Sequence, residues 1–403
     1  MFESYDIGEK ISASKLDGLF SDGKVMGEIY TGNLYREEKF KKFLLEDGNF
    51  SVAVNTDGVK IFHSSKFSVW PLLLSINELN FNKKAQHIVI CCLWFGNEKP
   101  NVDTFLEPFI VQARRLSKKG FQWKDLSGRN HISKVAFPLL VADAPARAML
   151  TNFMQYNGSY GCGFCEHKGK RVAKGAGTVQ VYPLVHPLPP NRTHEKSYDQ
   201  AKNAILSISQ PVGGVKGMSL LYLLPFFDII KGVVPDYMHC ILLGIVKQFL
   251  NLWLTTTSES FFIKDSKLID EIILTACPPD EIRRVLRPLD HRLILKASEF
   301  RVWLLFYSPI VLKHLLHPKY YKNWLILVKG MHMLLKKNVS REEIEVVRKL
   351  FFKFVSQVEL LYGEDQVSYN VHLLQHVVDS VTYWGCPWAY SAFMYEDIGG
   401  TLK

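Results

Sequence analysis

The chain has 403 residues, 47% of them hydrophobic and 22% charged, a composition that excludes a disordered polymer and suffices for a large core in two or three units. Its formal net charge of +10 serves solubility and favours polyanionic partners, nucleic acid most simply. The N-terminus MFESYDIGEK lacks the apolar stretch of a signal peptide and no apolar run is long enough to span a bilayer. Seven cysteines are too few for a disulfide framework, so a reducing compartment is expected.

In chain order, residues 36–45 (REEKFKKFLL) read as a short amphipathic helix with Phe40, Phe43 and Leu44 on its apolar face. Alternating apolar positions at Phe50, Val52 and Val54 lead to Asp57-Gly58, and Val59 and Ile61 leave it, which predicts two strands joined by a tight hairpin. Asp57 is then either a turn residue or a carboxylate presented at a strand end. Residues 67–80 continue extended, and 85–95 (AQHIVICCLWF) read as a central strand buried on both faces. Asp103 is placed to cap a helix beginning TFLEPFIVQARRL, whose basic end carries Arg114, Arg115, Lys118 and Lys119. A further apolar strand over 133–142 (SKVAFPLLVA) stops at Asp143, and Pro145 suits the first turn of a helix over 146–155.

Composition changes at Asn157. The stretch NGSYGCGFCEHKGKRVAKGAG holds Cys162 and Cys165 and a basic cluster of Lys168, Lys170, Arg171 and Lys174; residues 177–215, rich in proline, read as a long irregular excursion. From Val234 the pattern is helical. VPDYMHCILLGIVKQFLNLWL carries an apolar stripe at Leu242, Ile245, Val246, Phe249 and Leu250, and Ser340 with Glu343 forms a capping box. The tail CPWAYSAFMYEDIGGTLK follows. This gives an α/β unit over 1–155, a Gly/Lys/Pro-rich excursion and helical insertion over 156–380, and a returning C-terminal segment over 381–403.

The Cys-x-x-Cys pair has the turn spacing of a zinc knuckle and needs two more ligands. Asp236 and His239, at i and i+3 of a helix start, share a face and are the first choice, with His167 and Cys240 as alternatives; Asp236 could equally cap its helix, and the thiols could be plain core groups.

The Asp-Gly strand end with a second Asp after an apolar strand resembles an RNase H-like fold. VADAPARAML followed by YGCGFC, together with VPDYMHCILLG, KASEFRVWLLFYSPIVL and HLLQHVVDSVTYWGCPWAYSAFMYEDIGGTLK, resembles, in order, segments of the CACTA-type (En/Spm-like) DNA transposases. The resemblance covers most of residues 50–403. It implies an RNase H-like core interrupted by a large helical insertion, and a DDE site of Asp57, Asp143 and Glu396 holding two Mg²⁺ or Mn²⁺ ions, with Asp57 bridging. It implies cleavage and joining of DNA phosphodiesters at transposon ends, DNA as partner, pairing of ends in a homo-oligomer, and a nuclear location. Asp397, Glu364 and Asp365 are rivals to Glu396. Trp384, Trp388, Tyr390, Phe393 and Tyr395 are either core or a platform for an unpaired base.

Two departures from the family are visible. Glu396 lies close to Lys403, so its helix is expected to be short and weakly held. No zinc finger or helix-turn-helix precedes Asp57. The alternatives are a fragment, a catalytically inactive transposase-derived DNA-binding or scaffold protein, and a zinc-bearing nucleic-acid adaptor.

Overall fold

The computed structural model describes residues 5–46, 48–60, 67–125, 128–207, 210–278, 280, 282 and 284–401. Its organising element is a mixed sheet of β1 (Phe50–Thr56), β2 (Ser68–Ile76), β3 (Val89–Gly96), β4 (Val135–Ala142) and β7 (Val233–Pro235). Their spatial order is β3-β2-β1-β4-β7, with β2 antiparallel to β1 and β3, and β4 parallel to both β1 and β7. β7 comes from the stretch read as an insertion. Between β4 and β7 a hairpin of β5 (Lys170–Lys174) and β6 (Gly177–Val181) stands apart from the sheet.

β1, β2 and β4 are covered on both faces, and apolar side chains dominate each face, whereas β3 is largely exposed. Phe50, Val52, Val54, Leu72 and Phe137 pack on one side against α1 (Val102–Lys119), which supplies Phe105, Leu106, Phe109 and Ile110. Ala53, Leu73, Ala136, Leu139 and Val141 pack on the other against Trp384, Tyr390 and Tyr395. A separate helical body includes α4 (Lys247–Thr255), α5 (Pro318–Leu334), α6 (Arg341–Tyr362) and α7 (Tyr369–Trp384), centred on Phe249, Trp253, Trp324 and Phe354. The expected stripe at Leu242, Ile245, Val246, Phe249 and Leu250 is buried there, and the Ser340–Glu343 capping box is present. Met238–Thr255 is apolar and long enough to cross a bilayer by composition, but it is a core helix of this body.

Several local expectations are corrected. Asp57-Gly58 is not a hairpin turn. Thr56 pairs with Leu72 and Val59 with Val69, so the chain on either side of Asp57-Gly58 runs along the same edge of β2 in one register. Gly58 serves close approach instead: a Cβ there would come within 2.6 Å of the Trp70 ring. Ile61 lies outside the described residues. The run AQHIVICCLWF is not a central strand. Its first two residues end a helix over Phe81–Gln86, and β3 is an edge strand that pairs with β2 alone among the described residues, leaving Phe95 70% exposed. An apolar run reports hydrophobicity, whereas burial on both faces depends on neighbours the run does not specify. Asn101, not Asp103, caps α1. The excursion over 177–215 is partly regular, holding β6 and α3 (His194–Leu206). α2 spans Ala144–Leu150, shorter than expected, and is capped by Asp143.

Candidate active site and metal centre

β1 and β4 end side by side. Asn55 pairs with Val141 in the parallel ladder, so Asp57 and Asp143, each two residues further on, leave adjacent strands at one level. β7 extends the row, since Pro235 pairs with Ala142 and Asp236 follows as Asp143 does. Apolar strands stop where a carboxylate would otherwise enter the buried sheet, which is why three acids share this edge. Each is held by backbone donors. Gly58 N donates to Asp57 Oδ1 at 2.7 Å, and Ala146 N donates to Asp143 Oδ1 at 2.7 Å as a helix cap.

Asp236 is fully buried. Its Oδ2 accepts from His239 N at 3.0 Å and meets the ring Nδ1 at 2.9 Å, while Oδ1 accepts from Ala392 N at 2.9 Å. The ring's other nitrogen, Nε2, lies 3.8 Å from Asp57 Oδ2. Burial pushes the His239 imidazole down, yet its bond to Asp236 and the charges of Asp236, Asp57 and Asp143 carry it up to about 9. Asp57 moves the other way. Although 46% of its side chain is exposed, burial and then the Asp143 charge push its carboxyl up to about 6, with Glu396 adding to the rise and His239 opposing it.

The Asp236–Ala392 bond brings the segment that leads to Glu396 to this edge. Glu396 is exposed in the first turn of α8 (Phe393–Thr401). The expectation that this helix is weakly held is corrected. Within it Tyr395 and Ser75 share a buried hydroxyl bond of 2.7 Å, and the segment leading into it is tied down by the Asp236–Ala392 bond, by Lys84 Nζ donating to Ala389 O at 3.2 Å and by Trp388 Nε1 donating to Lys336 O at 2.9 Å. Of the rivals, Glu364 is paired with Lys170 and Asp365 with Lys174 on the β5–β6 hairpin, and the Asp397 side chain lies outside the described set. The tail aromatics are core: Trp384, Tyr390 and Tyr395 are buried, and Trp388 and Phe393 pack against the cores. The basic residues on α1 and on the hairpin are exposed.

The second cluster joins Cys162 and Cys165 to His372 and His376 of α7. All four are buried, with one ligand atom from each within 4.8 Å of the others. His372 Nε2 lies 3.3 Å from Cys165 Sγ and 3.3 Å from His376 Nε2. A tetrahedral ion with metal–nitrogen bonds near 2.0–2.1 Å sets its two nitrogens about 3.3 Å apart, so the spacing fits. Supporting groups hold the ligands. Phe164 N donates to Cys162 Sγ at 3.5 Å, and buried Arg192 donates through Nε to the carbonyls of Cys162 and Cys165. Asp379, itself bonded to Arg348, stands 3.7 Å from His376 Nδ1. Burial pushes the Cys162 thiol up, but the Cys165 thiol and the His376 and His372 rings pull it well below its ordinary value. Asp236 and His239, expected beside the thiols, are instead bonded to each other, and the His239 ring faces Asp57. His167 is committed elsewhere, its Nε2 bonding Pro183 O and its Nδ1 accepting from Gly169 N. The signal for the true partners is the i, i+4 histidine pair in HLLQH, the spacing by which one helix face presents two imidazoles.

Residues 34–187 match the family model described as Transposase family tnp2. The match supports a transposase family. The matched segment includes Asp57, Asp143 and both cysteines, while His239, His372, His376 and Glu396 lie beyond it. No curated protein matches the chain.

Proposed function

We propose that this chain is a DDE-type DNA transposase of the CACTA kind, built on an RNase H-like core, that cleaves and joins DNA phosphodiesters. The observation that carries this reading is the in-register exit of Asp57 and Asp143 from adjacent parallel strands, with the segment leading to Glu396 tied to the same edge by the Asp236–Ala392 bond. The strand order β3-β2-β1-β4-β7 with only β2 reversed supports the RNase H-like core. The transposase-family match supports DNA as substrate and a divalent-metal requirement.

The residues fit hard cations. Asp57 and Asp143 leave adjacent strands at one level with the His239 ring facing Asp57, and the Asp57 carboxyl is raised by burial first and by the Asp143 charge second, both of which a bound cation would offset. Asp57, Asp143 and Glu396 would hold two Mg²⁺ or Mn²⁺ ions, which supply Lewis acidity to both the attacking and the leaving oxygen. In the first step a water oxygen bonds to phosphorus, the P–O3′ bond breaks, and the strand leaves with a free 3′ hydroxyl. In the second, that hydroxyl attacks a target phosphodiester and displaces its 3′ oxygen. Asp236 fixes His239 so that its positive charge faces Asp57 and moderates carboxylate repulsion. The Cys162–Cys165–His372–His376 cluster would hold a structural Zn²⁺ that ties the segment after α2 to α7.

The test is Mg²⁺-dependent nicking of DNA by the full chain, compared with Asp57→Asn and Asp143→Asn. Nicking lost in both supports the site; nicking untouched by either change assigns it to another source. Binding of DNA with no nicking under any divalent cation favours the scaffold reading.

A further inference from the structure

A cavity of about 290 Å³ opens beside Asp143 and His239, and the strand-transfer reading does not use it. Its walls include Arg147, Tyr156, Gln180 and Asn370. Tyr156 is exposed and stacks on buried Tyr369, with centroids 5.7 Å apart and planes 20° from parallel. Gln180 and Asn370 bring side-chain amides, each with donors and an acceptor. Arg147 is buried in the wall, its Nη1 donating to Ala142 O at 3.0 Å, and its Nη2 has no hydrogen-bond partner among the described residues. Gly244, in the π-helical turn Met238–Val246, makes room for this arrangement: a Cβ there would come within 2.5 Å of Asn370 Nδ2. At the rim, Arg171 stands opposite Gln180 in the β5–β6 ladder, and Lys168 is exposed nearby in sequence, while Lys174, also exposed, is paired with Asp365.

This is the chemistry of a nucleotide held by its base. A ring face and two side-chain amides, set among the apolar groups of Ala144 and Pro145, suit the π-face and polar edge of a nucleobase. Asp143 at the mouth disfavours a phosphate inside, whereas the basic hairpin outside favours one there. The space is too small for a duplex, so the base must leave its stack to enter. We propose that the cavity receives one unpaired nucleobase of the DNA strand whose phosphate lies at Asp57 and Asp143, with the flanking phosphates on the β5–β6 hairpin. The proposal rests on the transposase reading of the same site. Unstacking is least costly at nicked or frayed positions, so the pocket makes the protein prefer such DNA over intact duplex.

The experiment measures binding of the full chain, with Ca²⁺ in place of Mg²⁺, to a short nicked duplex carrying one unpaired 2-aminopurine at the nick and to its fully paired counterpart. The expected result is tighter binding of the unpaired form by about 5- to 150-fold, with 2-aminopurine emission quenched by stacking. Tyr156→Ala and Gln180→Ala should each erode the preference and leave paired-duplex affinity unchanged; both side chains sit at the surface end of the cavity, so the fold should persist. No preference in the parent protein, or a preference that survives both changes, overturns the pocket. Because the readout is binding, Asp57-dependent nicking with no preference removes the pocket alone. A preference with nicking indifferent to Asp57 removes the catalytic reading alone.

Discussion

The two clusters that could hold metal differ in almost every physical respect. At the sheet edge, the carboxylates partly reach solvent, carry like charges and lie beside an open cavity. Around Cys162, all four ligand side chains are buried, and further residues hold them from behind. A closed four-ligand set has no position left for a substrate, so its contribution is to stability; an open, repulsive set gains its cations and its substrate together. The difference teaches that burial, more than ligand type, is what the proposed roles of staple and reaction centre rest on.

The sharpest way to break the comparison is to remove one buried ligand. His376→Ala or Cys162→Ala should cost about 4 kcal/mol or more, seen as a large fall in melting temperature or insolubility, and metal analysis of the parent protein should find about one zinc per chain. A parent protein free of zinc, with a melting temperature indifferent to chelator, would reduce the cluster to core thiols. Asp143→Asn should do the reverse. The asparagine oxygen can still cap α2, so the fold stays, while nicking falls by at least about 100-fold.

A smaller effect tests how the third carboxylate is carried. Tyr395→Phe strands Ser75 Oγ in the core and should cost about 1–2 kcal/mol. If the Tyr395 bond positions Glu396, kcat for nicking should drop several-fold while DNA affinity is unchanged. An unaltered kcat in a destabilised protein would make Tyr395 a packing residue only.

How much of this could be read from the chain depends on whether the signal was local. Asp57 and Asp143 were legible because each ends its own apolar strand, and parallel pairing then brings them together. The continuity of the chain through Asp57-Gly58 was not, because it depends on Trp70, whose ring requires a glycine opposite. The cysteines announced themselves by spacing, but their partners lie more than two hundred residues on, at His372, and sequence proximity favoured Asp236 and His239 instead. The edge position of β3 was hidden for a related reason: Leu93 and Phe95 are as apolar as core residues, and only the absence of a second strand among the described residues leaves them exposed. The hold on α8 was invisible because Ser75 reaches Tyr395 within it, and Lys84 and Asp236 reach the residues just before it, from three distant segments.

The smallest effect bears most directly on the open site. The Asp57 carboxyl sits at about 6 in the folded chain against an ordinary 3.8. Below pH 3.8 it is protonated folded or unfolded and has no effect on stability. Between 3.8 and 6 the folded chain keeps a proton that the unfolded chain has released, so stability declines as pH rises, and above about 6 the penalty is complete. Since nearly half of the side chain meets solvent, the penalty is about 1 kcal/mol rather than the full value of the shift. Asp57→Asn removes the charge and should therefore raise the melting temperature at pH 7.5, without divalent cations, by about 1–2 °C, and the gain should vanish near pH 3.5. Mg²⁺ should stabilise the parent protein and have little effect on the variant. A variant less stable than its parent at pH 7.5 would mean that His239 already neutralises the cluster, and the open site would then have no deficit of positive charge for cations to fill.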